Sequence, residues 1–396
     1  MAIDWLAQAQ ALRTELVARR RDLHRHPELA FEEQRTASLV AAELSALGLE
    51  VQTGIGRTGV VGVLEGAREG MTVLVRCDMD ALPIAEANTT DYASQVPNKM
   101  HACGHDGHVA IGLGVAKLLA ARRNQIAGRI KFVFQPAEEI AAGAKAMIAD
   151  GVLEAPVPQV ALGLHLWNNL PVGTVSLTEG AAMASANDFS VTVRGKGGHG
   201  ALPNETHDPI FAAVQIISAL QSVISRNVGG LETAVLSVCN IHGGDANNVI
   251  PSEVKFGGTF RTYQPDVNDL VTRRLHEIAE GVAAALGCTA QVQAQLLAPA
   301  LINDSEVNAR LRAAFKRLAP HLTYVDDART MASEDMACFL ERVRGTYFFV
   351  GSADYKRGLN FPHHHPRFDF DEEALLIGTG LLAAAVAEYV LPSAQE

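Results

Sequence analysis

The chain has 396 residues, 48% of them hydrophobic and 19% charged, which is ordinary globular material and excludes a disordered chain. A single core stops growing at roughly 250–300 residues, so two domains are expected. With 33 Lys and Arg against 44 Asp and Glu the formal charge is −11, and no basic block relieves it; nucleic acid and anionic membrane surfaces are excluded as expected partners.

Along the chain, residues 4–25 place apolar side chains at helical spacing among strong helix formers, and 36–47 predict a second helix closed by Gly48. Short β-branched runs at 59–64 and 71–77 predict strands. A helix over about 107–122, a strand at 129–134, a helix at 141–150 and an apolar run at 160–164 follow. This alternation predicts an α/β catalytic domain with a mixed, mostly parallel sheet between helices. Near residue 185 the texture changes to a strand at 189–194, a helix at 209–225, strands at 232–239 and 254–261, a helix at 267–286 and a strand at 290–297. That β-α-β-β-α-β order predicts an inserted split-βαβ, ferredoxin-like domain. After about residue 298 the α/β texture returns, with a strand at 346–351 and a closing helix at 374–391. The expected organisation is a catalytic domain over 1–185 and 297–396, interrupted by an inserted domain over 186–296. Five scattered cysteines and the absence of a visible secretory signal suggest a reducing, cytoplasmic setting. The apolar stretch 374–387 falls short of the ~20 residues that span a bilayer and predicts a buried helix.

Four clusters carry chemistry. His101-Ala102-Cys103-Gly104-His105-Asp106-Gly107-His108 is the densest, just before an apolar helix. Cys103 and His105, two apart across a flexible glycine, can turn toward one ion, and thiolate with imidazole suits zinc and its neighbours. A thiol nucleophile at Cys103 paired with His105 is the competing reading. Gln135-Pro136-Ala137-Glu138-Glu139 follows the 129–134 strand, where open α/β sheets place their ligands. Adjacent residues of extended backbone point opposite ways, so one carboxylate can bind metal while its neighbour faces substrate as a base. A solvated pair opening the next helix fits as well. His165, beside the 160–164 run, suits a satisfied core histidine or a ligand. Phe361-Pro362-His363-His364-His365-Pro366 offers one ligand among three histidines. Together these donors suffice for two metal ions about 3.5–4 Å apart with a bridging water.

Leu23-His24-Arg25-His26-Pro27-Glu28-Leu29, Arg76-Cys77-Asp78-Met79-Asp80-Ala81-Leu82-Pro83, the Cys103/His105 block, the Glu138/Glu139 block and Gly195-Lys196-Gly197-Gly198-His199 follow one another in this order. In this set the sequence resembles the metal-dependent amidohydrolases that include hippurate hydrolase and the indole-acetyl-amino-acid hydrolases; carboxypeptidase G and the aminoacylases are more distant. The resemblance implies metal ligation by Cys103, His105, Glu139, His165 and a late histidine. The family's His-x-Pro-x-(Phe/Tyr) motif selects His364, with His365 the close competitor. It implies Glu138 as general base and Asp80 as a carboxylate that orients a ligand. His199 matches a histidine that in relatives reaches a partner subunit's active site and stabilises the oxyanion, with Gly200 where the family often has Ala. Asn247 and Arg261, in motifs of the inserted domain, are substrate-side candidates; Arg261 could grip a substrate carboxylate bidentately or be a solvated strand residue.

The expected function is hydrolysis of the amide bond of N-acyl amino acids, hippurate-like N-aroyl substrates foremost. The expected cofactors are two divalent ions, zinc or manganese, with cobalt or nickel as alternatives. A homodimer or homotetramer is expected, the inserted domain serving as lid and dimerisation element. A peptidase or an auxin-conjugate-type hydrolase is the alternative within the class; a cysteine hydrolase using Cys103 or a non-catalytic binding protein lies outside it. Gly378-Thr379-Gly380-Leu381-Leu382-Ala383 matches a loose dinucleotide pattern but leaves no room for a βαβ unit, and no GxSxG elbow or GxxxxGK(S/T) loop is present.

Overall fold

β-Branched and aromatic residues crowd the runs 59–65, 72–77 and 130–134, and such side chains pack well on a pleated surface. In the computed structural model, which describes residues 3–391, these runs lie in one eight-stranded sheet. Its order is Glu50–Ile55, Gly59–Glu65, Ala127–Gln135, Arg68–Asp78, Val160–Pro171, Gly345–Ala353, Thr174–Ser176, Thr323–Val325. The four central strands are mutually parallel and largely buried on both faces, as parallel strands between helices are. Antiparallel pairing is confined to Gly59–Glu65 with its two neighbours and to Thr174–Ser176 with Gly345–Ala353. Asp78 pairs with Gln135 in register, so the loops after these two residues leave the sheet side by side at the carboxyl ends of their strands.

This sheet belongs to a unit made of the chain up to Gly180, Ile302–Ala328 and the chain from Asp335 onward. Two helices form much of its core. His105–Ala120 is buried at every residue from His105 to Ala116, the mark of a helix that is apolar all round. It starts two residues before the expected position because Gly104, at φ 95°, supplies the left-handed turn into it. Gly112 lets it lie close on the sheet: a Cβ there would stand 2.5 Å from Cys77 Sγ and 3.0 Å from the Phe134 ring. Glu373–Val390 is apolar enough in composition to cross a membrane, yet all of 374–387 is buried, packed in one core with Leu16, Leu23, Ile111, Val115, Phe132 and Phe134.

The expected helix at 4–25 is two helices, Trp5–Ala11 and Arg13–Arg25, because the Leu12 N–H turns back to the Ala9 carbonyl and closes the first. On the second, Arg20 is fully buried, its Nε donating to Asp106 at 2.9 Å and its Nη2 to Asp369 at 2.7 Å. It also packs 4.2 Å over the Phe370 ring. Breaking such a buried pair costs about 3–5 kcal/mol. Arg20 therefore ties the start of the His105–Ala120 helix to the segment that follows the three late histidines.

The second unit comprises Ala181–Leu301 and Arg329–Glu334. Its four-stranded antiparallel sheet runs in the order Ala234–His242, Glu253–Thr262, Ala186–Arg194, Thr289–Ala298. Helices Pro209–Ser222 and Pro265–Ala285 supply Ile216, Leu220, Val271 and Leu275 to a core with Val191, Val193, Phe256 and Phe260. In chain order this is β-α-β-β-α-β, with the first and third strands adjacent at the centre. Gly112→Val tests the close helix–sheet contact of the first unit. Overpacking of this kind typically costs about 1–3 kcal/mol, so its thermal unfolding midpoint should fall below wild type; an unchanged midpoint would show that the two layers are farther apart.

Candidate metal centre

Four chain segments meet at the carboxyl edge of the eight-stranded sheet, and each arrives by a different local device. The first is the start of the His105–Ala120 helix. His105 Nδ1 donates to the Asp80 carbonyl at 2.8 Å, which fixes the tautomer and leaves Nε2 as the free lone pair. The second is the buried strand Val160–Pro171. There His165 Nδ1 donates to the Leu166 carbonyl at 2.7 Å and Nε2 faces Cys103 Sγ at 3.5 Å. His165 is thus a buried residue with one nitrogen aimed at the cluster.

The third segment is the turn after Ala127–Gln135. It is not extended, so the expected divergence of Glu138 and Glu139 is corrected. Ala137 (φ 53°) and Ala141 (φ 51°) are left-handed, and Gly143 closes the turn so tightly that a Cβ there would lie 1.6 Å from the Pro136 carbonyl oxygen. The two carboxylates consequently converge: one oxygen from each and a ring nitrogen of His105 all lie within 4.8 Å of one another. Asp80 Oδ2 accepts the Glu139 N–H at 3.0 Å and Asp335 Oδ2 accepts the Ala144 N–H at 3.0 Å. Asp80 therefore reaches His105 chiefly through its backbone carbonyl, its Oδ1 standing at 3.4 Å, and holds Glu139 with its side chain.

The fourth segment is the late histidine run. Asn168 Nδ2 donates to the carbonyls of Phe361 and Asp369, at 3.0 and 2.8 Å, and so pins both ends of the loop. Within it His364 takes a left-handed φ of 65° while its N–H donates to the Ala102 carbonyl at 2.8 Å. Backbone strain of this kind persists where surrounding contacts over-determine it. It brings His364 Nε2 to 3.2 Å from Glu139 Oε2. His365 instead stacks on Phe361 at 4.7 Å and accepts the Arg367 N–H. His363 also approaches the sulfur, with Nδ1 3.8 Å from Cys103 Sγ, but its Nε2 accepts the Asn168 N–H at 3.2 Å. Its proton therefore sits on Nδ1, facing the Cys103 sulfur.

The electrostatics describe a place that recruits positive charge. Hydrogen bonds to Cys103 and Glu139 push the His364 pKa up to about 10. Burial opposes a charge on His105, but Asp78 and Cys103 outweigh it and hold its pKa well above the ordinary histidine value. Burial keeps His165 well below that value and lowers His363 to about 3, so both remain neutral. His105 Nε2 and Glu139 Oε1 are buried, 4.0 Å apart, and neither has a hydrogen-bond partner among the described residues. Leaving such groups unsatisfied costs about 1–3 kcal/mol each. A cation between donors of this kind would satisfy both, and thiolate, imidazole and carboxylate together suit zinc, manganese, cobalt or nickel.

Asp78, His105 and His108 also lie within 4.8 Å of one another. There, however, His108 is already satisfied: Nδ1 donates to Asp78 at 2.5 Å and Nε2 accepts the Leu166 N–H at 2.9 Å. Asp78 is held in turn by Arg76 at 2.6 Å. His108 and Asp78 thus fix the strand beside His165, a role the sequence reading missed. The spacing held a signal, since His108 follows His105 by three and shares its helix face.

The remaining candidates lie in the second unit. His199, exposed, pairs with Val249 in a short ladder, and its Nδ1 accepts the Ala201 N–H at 3.1 Å, which leaves the proton on Nε2. Asn247 is exposed in the same loop system, where the neighbouring Asn248 carbonyl accepts the Gly200 N–H at 2.8 Å. Arg261 is half-buried and donates to Ser333 Oγ at 2.9 Å.

The sequence model of peptidase family M20/M25/M40 matches residues 74–388. An N-acetylcysteine deacetylase of Bacillus subtilis (strain 168) is 39% identical over 376 residues, 94% of this chain and 96% of its own length. The Arabidopsis thaliana IAA-amino acid hydrolase ILR1-like 5 is 37% identical over 382 residues, 96% of this chain and 87% of its own. Among solved structures, the Bacillus subtilis YXEP protein, a dinuclear metal-binding peptidase of the M20 family, superposes with a TM-score of 0.83 at 35% identity, covering 95% of this chain and 98% of that one.

The two late histidines are separable by metal analysis. His364→Ala should lower the metal bound per chain, measured by plasma mass spectrometry after reconstitution, while His365→Ala should match wild type. The reverse order would contradict the assignment.

Proposed function

The chain belongs to peptidase family M20/M25/M40, and on that premise we propose that it hydrolyses the amide bond of N-acyl amino acids, N-aroyl, hippurate-like substrates foremost, giving a carboxylic acid and a free amino acid. The observation that carries this reading is the convergence of Cys103, His105, Glu139, His165 and His364 with a second, adjacent carboxylate, Glu138. An N-acetylcysteine deacetylase and an IAA-amino acid hydrolase, each aligned over most of its length, favour an acyl group joined to an amino acid over a longer peptide.

Cys103 Sγ, His105 Nε2, Glu139, His165 Nε2 and His364 Nε2 would hold two divalent cations, zinc or manganese foremost. When bound, such ions polarise an amide carbonyl and lower the pKa of a water. The protein's own groups do the rest. Asp80, His108 and Asn168 keep the ligand atoms aimed by fixing the backbone or tautomer beside each. One carboxylate oxygen of Glu138 accepts the proton of the attacking water and returns it to the nitrogen of the leaving amine. His199 keeps a proton on Nε2 and is assigned the donation to the developing oxyanion. Arg261 and Asn247 are assigned to the substrate's carboxylate side, in an assembly of at least two chains.

A thiol nucleophile at Cys103 is disfavoured by its surroundings. Burial and the nearby Glu139 raise its pKa, whereas an activated cysteine needs it lowered. A chelator-stripped enzyme should lose turnover of hippurate and N-acetyl amino acids and regain it with Mn²⁺ or Zn²⁺. Glu138→Ala should lower kcat by about 10²–10⁴-fold with bound metal unchanged. Hydrolysis at the wild-type rate in that variant, or activity that survives chelation and ends on thiol alkylation, would overturn this mechanism.

A further inference from the structure

The turn that carries Glu138 and Glu139 holds a conformation that its own sequence does not favour. Ala137 and Ala141 are left-handed, yet each carries a Cβ. Such a turn needs outside anchors, and three buried carboxylates supply them, on the N–H groups of Ala137, Glu139 and Ala144. Two of these carboxylates have other partners that account for them. Asp80 lies against His105, and Asp335 accepts from Arg76 at 2.9 Å and from Gln135 at 2.7 Å.

Among the described residues Glu33 has neither a cation nor a histidine as partner; its partners are two backbone amides and a hydroxyl. It is fully buried at the start of helix Gln34–Ala46, and among the described residues no cation pairs with it. Its Oε1 accepts the N–H of Ala137 at 2.9 Å and that of Phe31 at 3.0 Å, and Oε2 accepts the Thr58 hydroxyl at 2.5 Å. Phe31 is itself left-handed, at φ 63°. Burying a carboxylate without a cation is costly, and burial raises its pKa accordingly. An apolar residue here would leave the Ala137 and Phe31 N–H groups without their acceptor, so the carboxylate is held by the backbone groups it satisfies. The partner farthest away in sequence is the backbone amide of Ala137, immediately before Glu138.

We propose that Glu33 is a positioning residue for the Glu138–Glu139 turn: by holding the N–H of the left-handed Ala137 it sets the aim of both carboxylates. The assignment rests on Glu138 and Glu139 being base and metal ligand. Small displacements of reacting groups cost rate far more than binding, so the loss falls on kcat.

The test compares Glu33→Ala, Glu33→Gln and Thr58→Val by three readouts: kcat and KM of the metal-loaded enzyme on an N-acyl amino acid, deuterium exchange across residues 132–144, and the unfolding midpoint. Glu33→Ala should lower kcat ten- to a hundredfold with KM within threefold, and speed exchange at the Ala137–Gly143 amides. Glu33→Gln, whose amide oxygen can still accept the Ala137 N–H, should recover most of the rate and the protection. Thr58→Val should lie between wild type and Glu33→Ala, and it decides with Glu33→Gln if the alanine variant does not fold. Wild-type exchange and kcat in folded Glu33→Ala would overturn the proposal. So would a Gln variant no better than Ala, with both losses tracking the unfolding midpoint. If the wild-type enzyme cleaves no N-acyl amino acid, the substrate reading fails alone, and exchange in the same variants still decides the role of Glu33.

Discussion

Burial forces every polar atom to find a partner, and around this site that constraint leaves a specific remainder. Asp78 is matched by Arg76 and His108, Asp335 by Arg76 and Gln135, and His363 by Asn168. Each of these bonds also consumes one nitrogen of a histidine or one oxygen of a carboxylate. The lone pairs left over, on His105, His165, His364, Glu139 and Cys103, face one another. The supporting hydrogen bonds thus both hold the donors and select which atom of each is free. Anions in that remainder draw His105 and His364 toward their protonated forms, so protons answer the demand for positive charge that divalent ions would meet.

The fold delivers His105 and His165 on regular elements and Cys103, Glu139 and His364 on anchored loops. Strand ends at Asp78 and Gln135 set two loops side by side in register, a helix buried over its first twelve residues presents His105, and a buried strand presents His165. The two irregular pieces, the Glu138–Glu139 turn and the late histidine loop, are each tied down at several backbone groups. Both also contain left-handed residues with a Cβ, at Ala137, Ala141 and His364. Arg20 links the second of them to the helix bearing His105 through Asp369 and Asp106. Local strain and dense anchoring occur together, as they do at sites where geometry is fixed before a ligand arrives.

Much of this was legible in the sequence, because the donors lie in short, contiguous clusters and the α/β alternation is strong. The β-α-β-β-α-β order of the second unit could be read from periodicity alone. What the sequence withheld depends on backbone path. Adjacent glutamates look divergent until Ala137 turns left-handed, and residue type alone does not separate three consecutive histidines, of which the family motif selects His364 and the backbone gives it φ 65°. The supporting residues were hidden for another reason. Asn168 and Glu33 act on atoms distant along the chain, and nothing in their immediate neighbours marks them; His108 was marked only by its three-residue spacing from His105. The helix Ser305–Leu318 went unread although Asp304 caps it and Val307, Leu311, Ala314 and Phe315 form a buried stripe. That signal was available in the composition of a single face.

The central claim is that the converging donor atoms, two of them without a hydrogen-bond partner among the described residues, define a dinuclear cation site. Anomalous diffraction from crystals of the metal-reconstituted protein, collected on both sides of the zinc or manganese edge, tests it most directly. The account predicts two peaks, together within bonding distance of Cys103 Sγ, His105 Nε2, His165 Nε2, His364 Nε2 and the Glu139 carboxylate, with His363, His365 and His108 unligated. A peak centred on Asp78 and His108, or no peak among these donors, would contradict it.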